Sequence, residues 1–181
     1  ITVDKNSDIW IATGAGVFRK KKNETKWAPI ITGENNGPAF AVATDSSGTV
    51  WLGNWNGLFS FRNGSLEKAK GPEGPISAIC ATSDGLYVLG PSGFWLKNGH
   101  GFEKKKNTLS KSVRDVISDR CHGLWIATDV GLYHWTENET KHYYKTDALI
   151  SGYAKGLAFD KNGKLWVGGL GGVTIRDAEK K

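Results

Sequence analysis

At 181 residues, 39% of them apolar, with 24 glycines and eight tryptophans, the chain has ample material for a packed core and no low-complexity tract or linker. No apolar run approaches the roughly 20 residues of a helical membrane span, and no signal peptide is visible. A formal charge of +6 invites a nucleic-acid partner, yet the aromatics that such a groove interleaves with basic residues fall elsewhere, at regular places in a repeat.

Taken in order, the chain carries five copies of one segment: IWIATGAGVFRK from Ile9, VWLGNWNGLFSF from Val50, LYVLGPSGFWLK from Leu86, LWIATDVGLYHW from Leu124 and LWVGGLGGVTIR from Leu165. Aligned on Trp10, Trp51, Tyr87, Trp125 and Trp166, each has a glycine six residues on: Gly16, Gly57, Gly93, Gly131 and Gly172. Successive anchors lie 41, 36, 38 and 41 residues apart, a period that marks a repeat architecture. In the second copy Ala39 to Thr44 reads as a strand, Asp45 to Gly48 as a tight turn and Val50 to Asn54 as a second strand. Trp55, Asn56 and Gly57 then turn into Leu58 to Arg62, and a fourth strand runs from Ser65 to Lys70. Four strands in about 40 residues predict the blade of a β-propeller.

The chain is therefore read as all-β, with four-stranded antiparallel blades over 1–37, 38–75, 76–111, 112–152 and 153–181. It opens with part of a first strand and stops after the third strand of the fifth copy. The expectation is a partial propeller from a ring of about seven or eight blades, with a closed five-bladed ring as the alternative.

A blade cannot bury both its faces alone, so the anchor indole is read as filling the space between neighbours. The small residue two places on, Gly53 or Ala127, lets the next sheet approach. Asp4, Asp45, Asp119 and Asp160 lie six residues before their anchors and read as turn carboxylates accepting backbone N–H bonds. In the third copy that hairpin is shorter, and the acid is Asp84. The repeated glycine suits a backbone with φ > 0 at the hairpin between second and third strands. Basic residues at Arg19 to Lys22, Lys68, Lys70 and Lys104 to Lys106 read as protection of exposed outer strands against edge pairing. Cys80 and Cys121 occupy non-equivalent places and are expected as two thiols rather than a disulfide.

The turn aspartate followed by Gly-x-Leu-Trp-Ile-x-Thr-x-x-Gly-Leu-Tyr resembles the two-component regulator propeller repeat of bacterial hybrid histidine kinases. The fourth copy with its lead-in from Leu109 matches best, and the fifth, from Leu149, follows closely. The third departs most, with Tyr87 for tryptophan and Gly90, Pro91 where a Gly-Thr pair would lie, so its outer hairpin is expected to be irregular.

The resemblance implies a non-catalytic sensor propeller, extracytoplasmic (periplasmic), that binds an oligosaccharide or another polar small molecule. It would signal to a kinase outside this segment, with further blades in the intact chain and coupling across a homodimer as an alternative mode. The intact protein would be membrane-anchored, with no nucleic-acid contact and no membrane contact expected within this segment. No catalytic residue, metal site or cofactor is predicted, since His100, His122, His134 and His142 do not pair at ligand spacing. No nucleophile elbow, phosphate loop or dinucleotide fingerprint is present either.

Ligand contacts are sought on the rim where second-to-third and fourth-to-first connections meet. Trp55 stands out as an exposed indole flanked by the amides of Asn54 and Asn56, suited to a sugar face and its hydroxyls. Asp129, Asn36, Arg114 and Tyr153 fall on the same rim. The alternatives are a propeller enzyme resembling the streptogramin lyases, which share Asp-x-x-Gly-x-Leu-Trp, and a protein-interaction scaffold.

Overall fold

The computed structural model describes residues 1–32, 37–99, 101–106, 112–119, 122–147, 149 and 151–177. These form two compact bodies, residues 1–107 and 108–181.

In the first body lie three four-stranded antiparallel meanders. Blade 1 is β1 (Thr2–Val3), β2 (Ile9–Thr13), β3 (Gly16–Lys20) and β4 (Ala28–Thr32). Blade 2 is β5 (Ala39–Thr44), β6 (Val50–Asn54), β7 (Gly57–Arg62) and β8 (Ser65–Lys68). Blade 3 is β9 (Ala78–Ala81), β10 (Leu86–Gly90), β11 (Gly93–Asn98) and β12 (Gly101–Lys104).

The second body holds blade 4, made of β13 (Val113–Ser118), β14 (Leu124–Thr128), β15 (Gly131–Trp135) and β16 (Thr140–Tyr143). A short 3-10 turn, Lys145–Asp147, leads to blade 5, whose described strands are β17 (Ala154–Phe159), β18 (Lys164–Gly169) and β19 (Gly172–Asp177). Among the described residues there is no α-helix, and none long and apolar enough to cross a membrane. In the third copy the hairpin between second and third strands closes regularly, against the sequence expectation: Gly90 pairs with Gly93, whose φ is also positive, at 147°, and Pro91 lies at the tip outside the strand ladder.

Strand alternation sends one face of each sheet to each neighbour. Val42, Val50 and Leu52 of blade 2 pack with Trp10, Val17 and Ile31 of blade 1. Ala41, Ala43 and Trp51, on the other face, pack with Ile76, Ile79 and Val88 of blade 3. In the second body Trp125, Ala127 and Leu132 meet Ala154, Leu165 and Val167. Gly53 is small for a visible reason: a Cβ there would lie 2.7 Å from the side chain of Ile76.

The anchor indoles of blades 1, 2 and 4 are covered by the third strand of the following blade at one register position, opposite Val50, Leu86 or Leu165 of its second strand. Phe61 tilts onto Trp10 with ring centroids 4.9 Å apart. Lys97 places its ammonium 5.5 Å from the Trp51 ring, and Arg176 its guanidinium 5.4 Å from that of Trp125. Trp166 departs from the sequence reading, being 40% exposed. No described sheet of its body follows blade 5 to supply such a cover.

The turn aspartates do more than bind backbone. Asp45 Oδ1 accepts from the Ser47 and Thr49 N–H groups, while Oδ2 accepts the Trp51 indole N–H at 2.7 Å. Asp4 and Asp160 treat Trp10 and Trp166 in the same way, at 2.8 and 3.2 Å. In blade 3 the shorter hairpin is tied by Thr82, whose hydroxyl accepts from Asp84 N and donates to the Gly85 carbonyl. Blade 4 rearranges the bond: His134 donates from Nε2 to Asp119 Oδ2 at 2.8 Å and stacks on Trp125, whose Nε1 is buried without a hydrogen-bond partner among the described residues.

Burial pushes the Asp45 carboxyl up, but hydrogen bonds from Ser47, Trp51 and Thr49 outweigh it and hold it below the ordinary carboxylate value. Its stabilisation is therefore full above the unfolded value of about 3.9 and is lost as pH falls through the lower folded value. Asp45→Asn, which sets an amide donor against one of these donors, is expected to lower the urea midpoint at pH 7 and to do so far less at pH 2.5. An equal deficit at both pH values would remove the carboxylate from the account.

Candidate functional site

The second hairpin of each blade and the start of its first strand lie at the same end of the sheet, because Ala39 pairs with Asn54 and Val113 with Thr128. The hairpin is built identically in blades 1 and 4. Thr13 and Thr128 accept from the backbone N–H two residues on and donate to the carbonyl of the glycine three residues on. That glycine, Gly16 or Gly131, sits at φ near +120°.

In blade 2 Asn54 takes over the threonine's place. Its Oδ1 accepts from Asn56 N at 2.8 Å, its carbonyl accepts from Ile76 N, and the residue is only 1% exposed. The pair of exposed amides expected from the sequence is thus reduced to Asn56, since a turn-capping amide must point inward. Trp55 is 53% exposed at the tip, as expected, and meets Phe40 edge to face at 5.3 Å. Gly37 approaches its ring so closely that a Cβ would lie 3.2 Å away.

In the second body three of the sequence-selected residues come together. Arg114 Nε and Nη2 donate to the two carboxylate oxygens of Asp129 at 2.5 and 2.8 Å, and the guanidinium lies 5.7 Å from the Tyr153 ring centroid. The hydrogen bond from Arg114 holds Asp129 below the usual carboxylate range, and the same bond raises the arginine. Next to Arg114, Asp115 points the other way, and its Oδ2 accepts from Leu157 N of blade 5. Asn36 lies outside the described residues, as do His100 and Cys121.

Phe40 was not evident from motif reading. It could have been found by aligning the first strands, which read AFAV, VRDV and AKGL, so that Phe40, Arg114 and Lys155 coincide.

Away from this rim, the first body has a groove of about 210 Å³ at the opposite strand ends, lined by Ser46, Ser47, Thr82, Ser83, Asp84 and Lys97 among others. Among the described residues no three His, Cys, Asp or Glu side chains gather as metal ligands would. His142 stacks on Tyr133, lies tilted against Tyr144 and donates to the Val130 carbonyl.

Stacked meanders with a variable rim over a fixed framework define a β-propeller segment. No family model matches the chain. In sequence it is similar to histidine kinase P4 of Formosa agariphila, 26% identical over 200 residues that cover 94% of this chain and 14% of the kinase. In fold it matches the extracellular domain of a proposed hybrid two-component system of B. thetaiotaomicron, with a TM-score of 0.78 at 19% identity, over 96% of this chain and 27% of that one. A second such domain from that organism matches with a TM-score of 0.79 at 14% identity, over 96% and 26%. A streptogramin B lyase follows at 0.74 and 15% identity, over 97% and 64%. In fold the chain therefore resembles extracellular domains of two-component systems, and it spans 14% of the kinase and about a quarter of each of those domains.

Proposed function

We infer that this chain is part of the extracytoplasmic ligand-sensing propeller of a two-component signalling protein. It binds a saccharide or similar polar small molecule at its hairpin rim, and the bound state is passed to a kinase outside the segment. The observation that carries this reading is the agreement of two comparisons, a histidine kinase by sequence and two-component extracellular domains by fold. The rim supports it with chemistry: a half-exposed indole for the C–H face of a sugar, and an Arg–Asp pair that can donate to and accept from hydroxyls. Residues that need not build the fold are free to read a ligand.

The test is a panel of oligosaccharides read by thermal shift. Wild type is expected to be stabilised by at least one saccharide, and Trp55→Ala is expected to lose that response while its own melting temperature moves by no more than about 2 °C, as for an exposed substitution. Stabilisation that survives in Trp55→Ala would move the site off this hairpin. A marked loss of stability in the variant would make Trp55 part of the core.

The lyase likeness supports a second reading, that of a propeller enzyme. Incubation with a streptogramin B and Mg²⁺, followed by mass spectrometry, separates the two. The sensor reading expects the compound to be recovered intact.

A further inference from the structure

Three of the described sheets share one irregularity at one place. The register of first strand on second slips between Ala39 and Ala41 in blade 2, between Val113 and Asp115 in blade 4, and between Ala154 and Gly156 in blade 5. A bulge leaves its extra residue unpaired, bends the strand and re-aims the side chain. The residues so expelled are Phe40, Arg114 and Lys155, and all three are exposed.

Opposite each bulge stands the tip of the second hairpin: Trp55 in blade 2, Asp129 in blade 4 and Leu170 in blade 5. In blades 2 and 4 bulge residue and tip touch, Phe40 against the Trp55 ring and Arg114 on the Asp129 carboxylate. What lies behind them is the same in both blades: a buried side chain capping the turn, Asn54 or Thr128, and a glycine at φ +123° or +125°. The framework repeats while the chemistry of the pair changes completely, from two aromatic rings to a guanidinium and a carboxylate.

We propose that bulge residue and hairpin tip form a two-residue reading module, one per bulged blade, and that its chemistry sets which part of a saccharide that blade accepts. Phe40 and Trp55 take the apolar C–H face of a neutral sugar ring. They present an edge and a face at right angles, and both are held half-exposed, at 44% and 53%, with apolar area that a ring would cover. Arg114 and Asp129 take vicinal hydroxyls. The guanidinium donates, and the carboxylate, held ionised by its partner, only accepts. The proposal rests on the saccharide-sensing reading above. It adds Phe40 as a contact residue and confines the specificity of a blade to two positions.

Transplantation tests it. F40R/W55D places the blade 4 pair in blade 2, and R114F/D129W does the reverse; both are expected to keep the wild-type melting temperature to within about 3 °C, since neither position builds the core. Binding is followed by ¹⁹F NMR on protein labelled with 5-fluorotryptophan, with xylohexaose and maltohexaose as probes and the Trp55 signal assigned by its loss in W55F. The Trp55 signal is expected to shift with at least one probe. F40A is expected to weaken that titration at least tenfold at an unchanged melting temperature.

Unchanged affinity in F40A, or unfolding of both transplants, overturns the module. If the transplants fold as expected but neither hexasaccharide moves the wild-type signal, the neutral-sugar assignment fails. In that case a positive response elsewhere in the oligosaccharide panel would leave the broader sensor reading standing, and silence across it would end the saccharide reading.

Discussion

Trp125→Ala is expected to destabilise the second body by about 3–5 kcal/mol, the range for emptying an aromatic site in a core. The indole is fully buried, and it belongs to the cluster in which blade 4 meets Ala154, Leu165 and Val167 of blade 5. His134 stacks on one side of it at 4.3 Å, and Arg176 and Tyr143 lie against it as well. Because Trp125 Nε1 has no hydrogen-bond partner among the described residues, the loss is one of packing and of the Arg176 cation–π contact, with no hydrogen bond broken. Removal would also leave Arg176, whose Nε is itself buried with no hydrogen-bond partner among the described residues, beside a void. Trp166→Ala supplies the contrast, since that ring is partly exposed and is expected to cost well under half as much despite its bond to Asp160. Urea unfolding followed by far-UV circular dichroism checks both. A near-neutral Trp125→Ala would undo its assignment as filler between blades.

The architecture was legible because it is periodic. Five anchors and five glycines at one spacing carry the strands with them, and the positive φ at Gly16, Gly57, Gly93, Gly131 and Gly172 is what a residue type restricted to glycine predicts. The rim was legible only in part. Trp55 at a hairpin tip reads as exposed, and Arg114, Asp129 and Tyr153 were each selectable from their register, although their mutual contact is not.

Asn54 was misread because side-chain direction in a two-residue turn depends on which backbone N–H needs an acceptor, and a polar residue beside an exposed tip looks exposed too. Trp166 shares the anchor motif, but its burial depends on a neighbouring sheet and not on its own sequence. The bulges are invisible in any single copy because an extra residue in a strand leaves no gap there. They emerge only when the first strands are set against one another. The exchange of Trp125 for His134 on Asp119 is likewise invisible in the motif, since it needs a side chain from the third strand to arrive within 2.8 Å.

Gly131→Ala is expected to be the most damaging single change in the repeated hairpin, at about 3 kcal/mol or more. Two effects add. The backbone there has φ +125°, a conformation that costs an L-residue about 1–3 kcal/mol. A Cβ would also stand 2.4 Å from the Tyr143 carbonyl oxygen and 3.0 Å from His142 Nε2. The first contact is with backbone held by β15 through the Leu132 to Tyr143 pairing, so it cannot be relieved by rotating a side chain. Gly57→Ala isolates the first effect, because φ there is +123° but the nearest atom, Lys68 Cε, is 3.6 Å away at the end of a flexible chain. Gly57→Ala should therefore cost the conformational part alone, about 1–3 kcal/mol. The difference between the two variants in urea midpoint measures the clash. Equal losses would mean that β16 yields at little cost. If it does yield, it moves His142 off the Tyr133 ring and disturbs its bond to the Val130 carbonyl, one residue from Asp129. The variant that tests the fold would then also loosen the hairpin that carries the Arg114 partner.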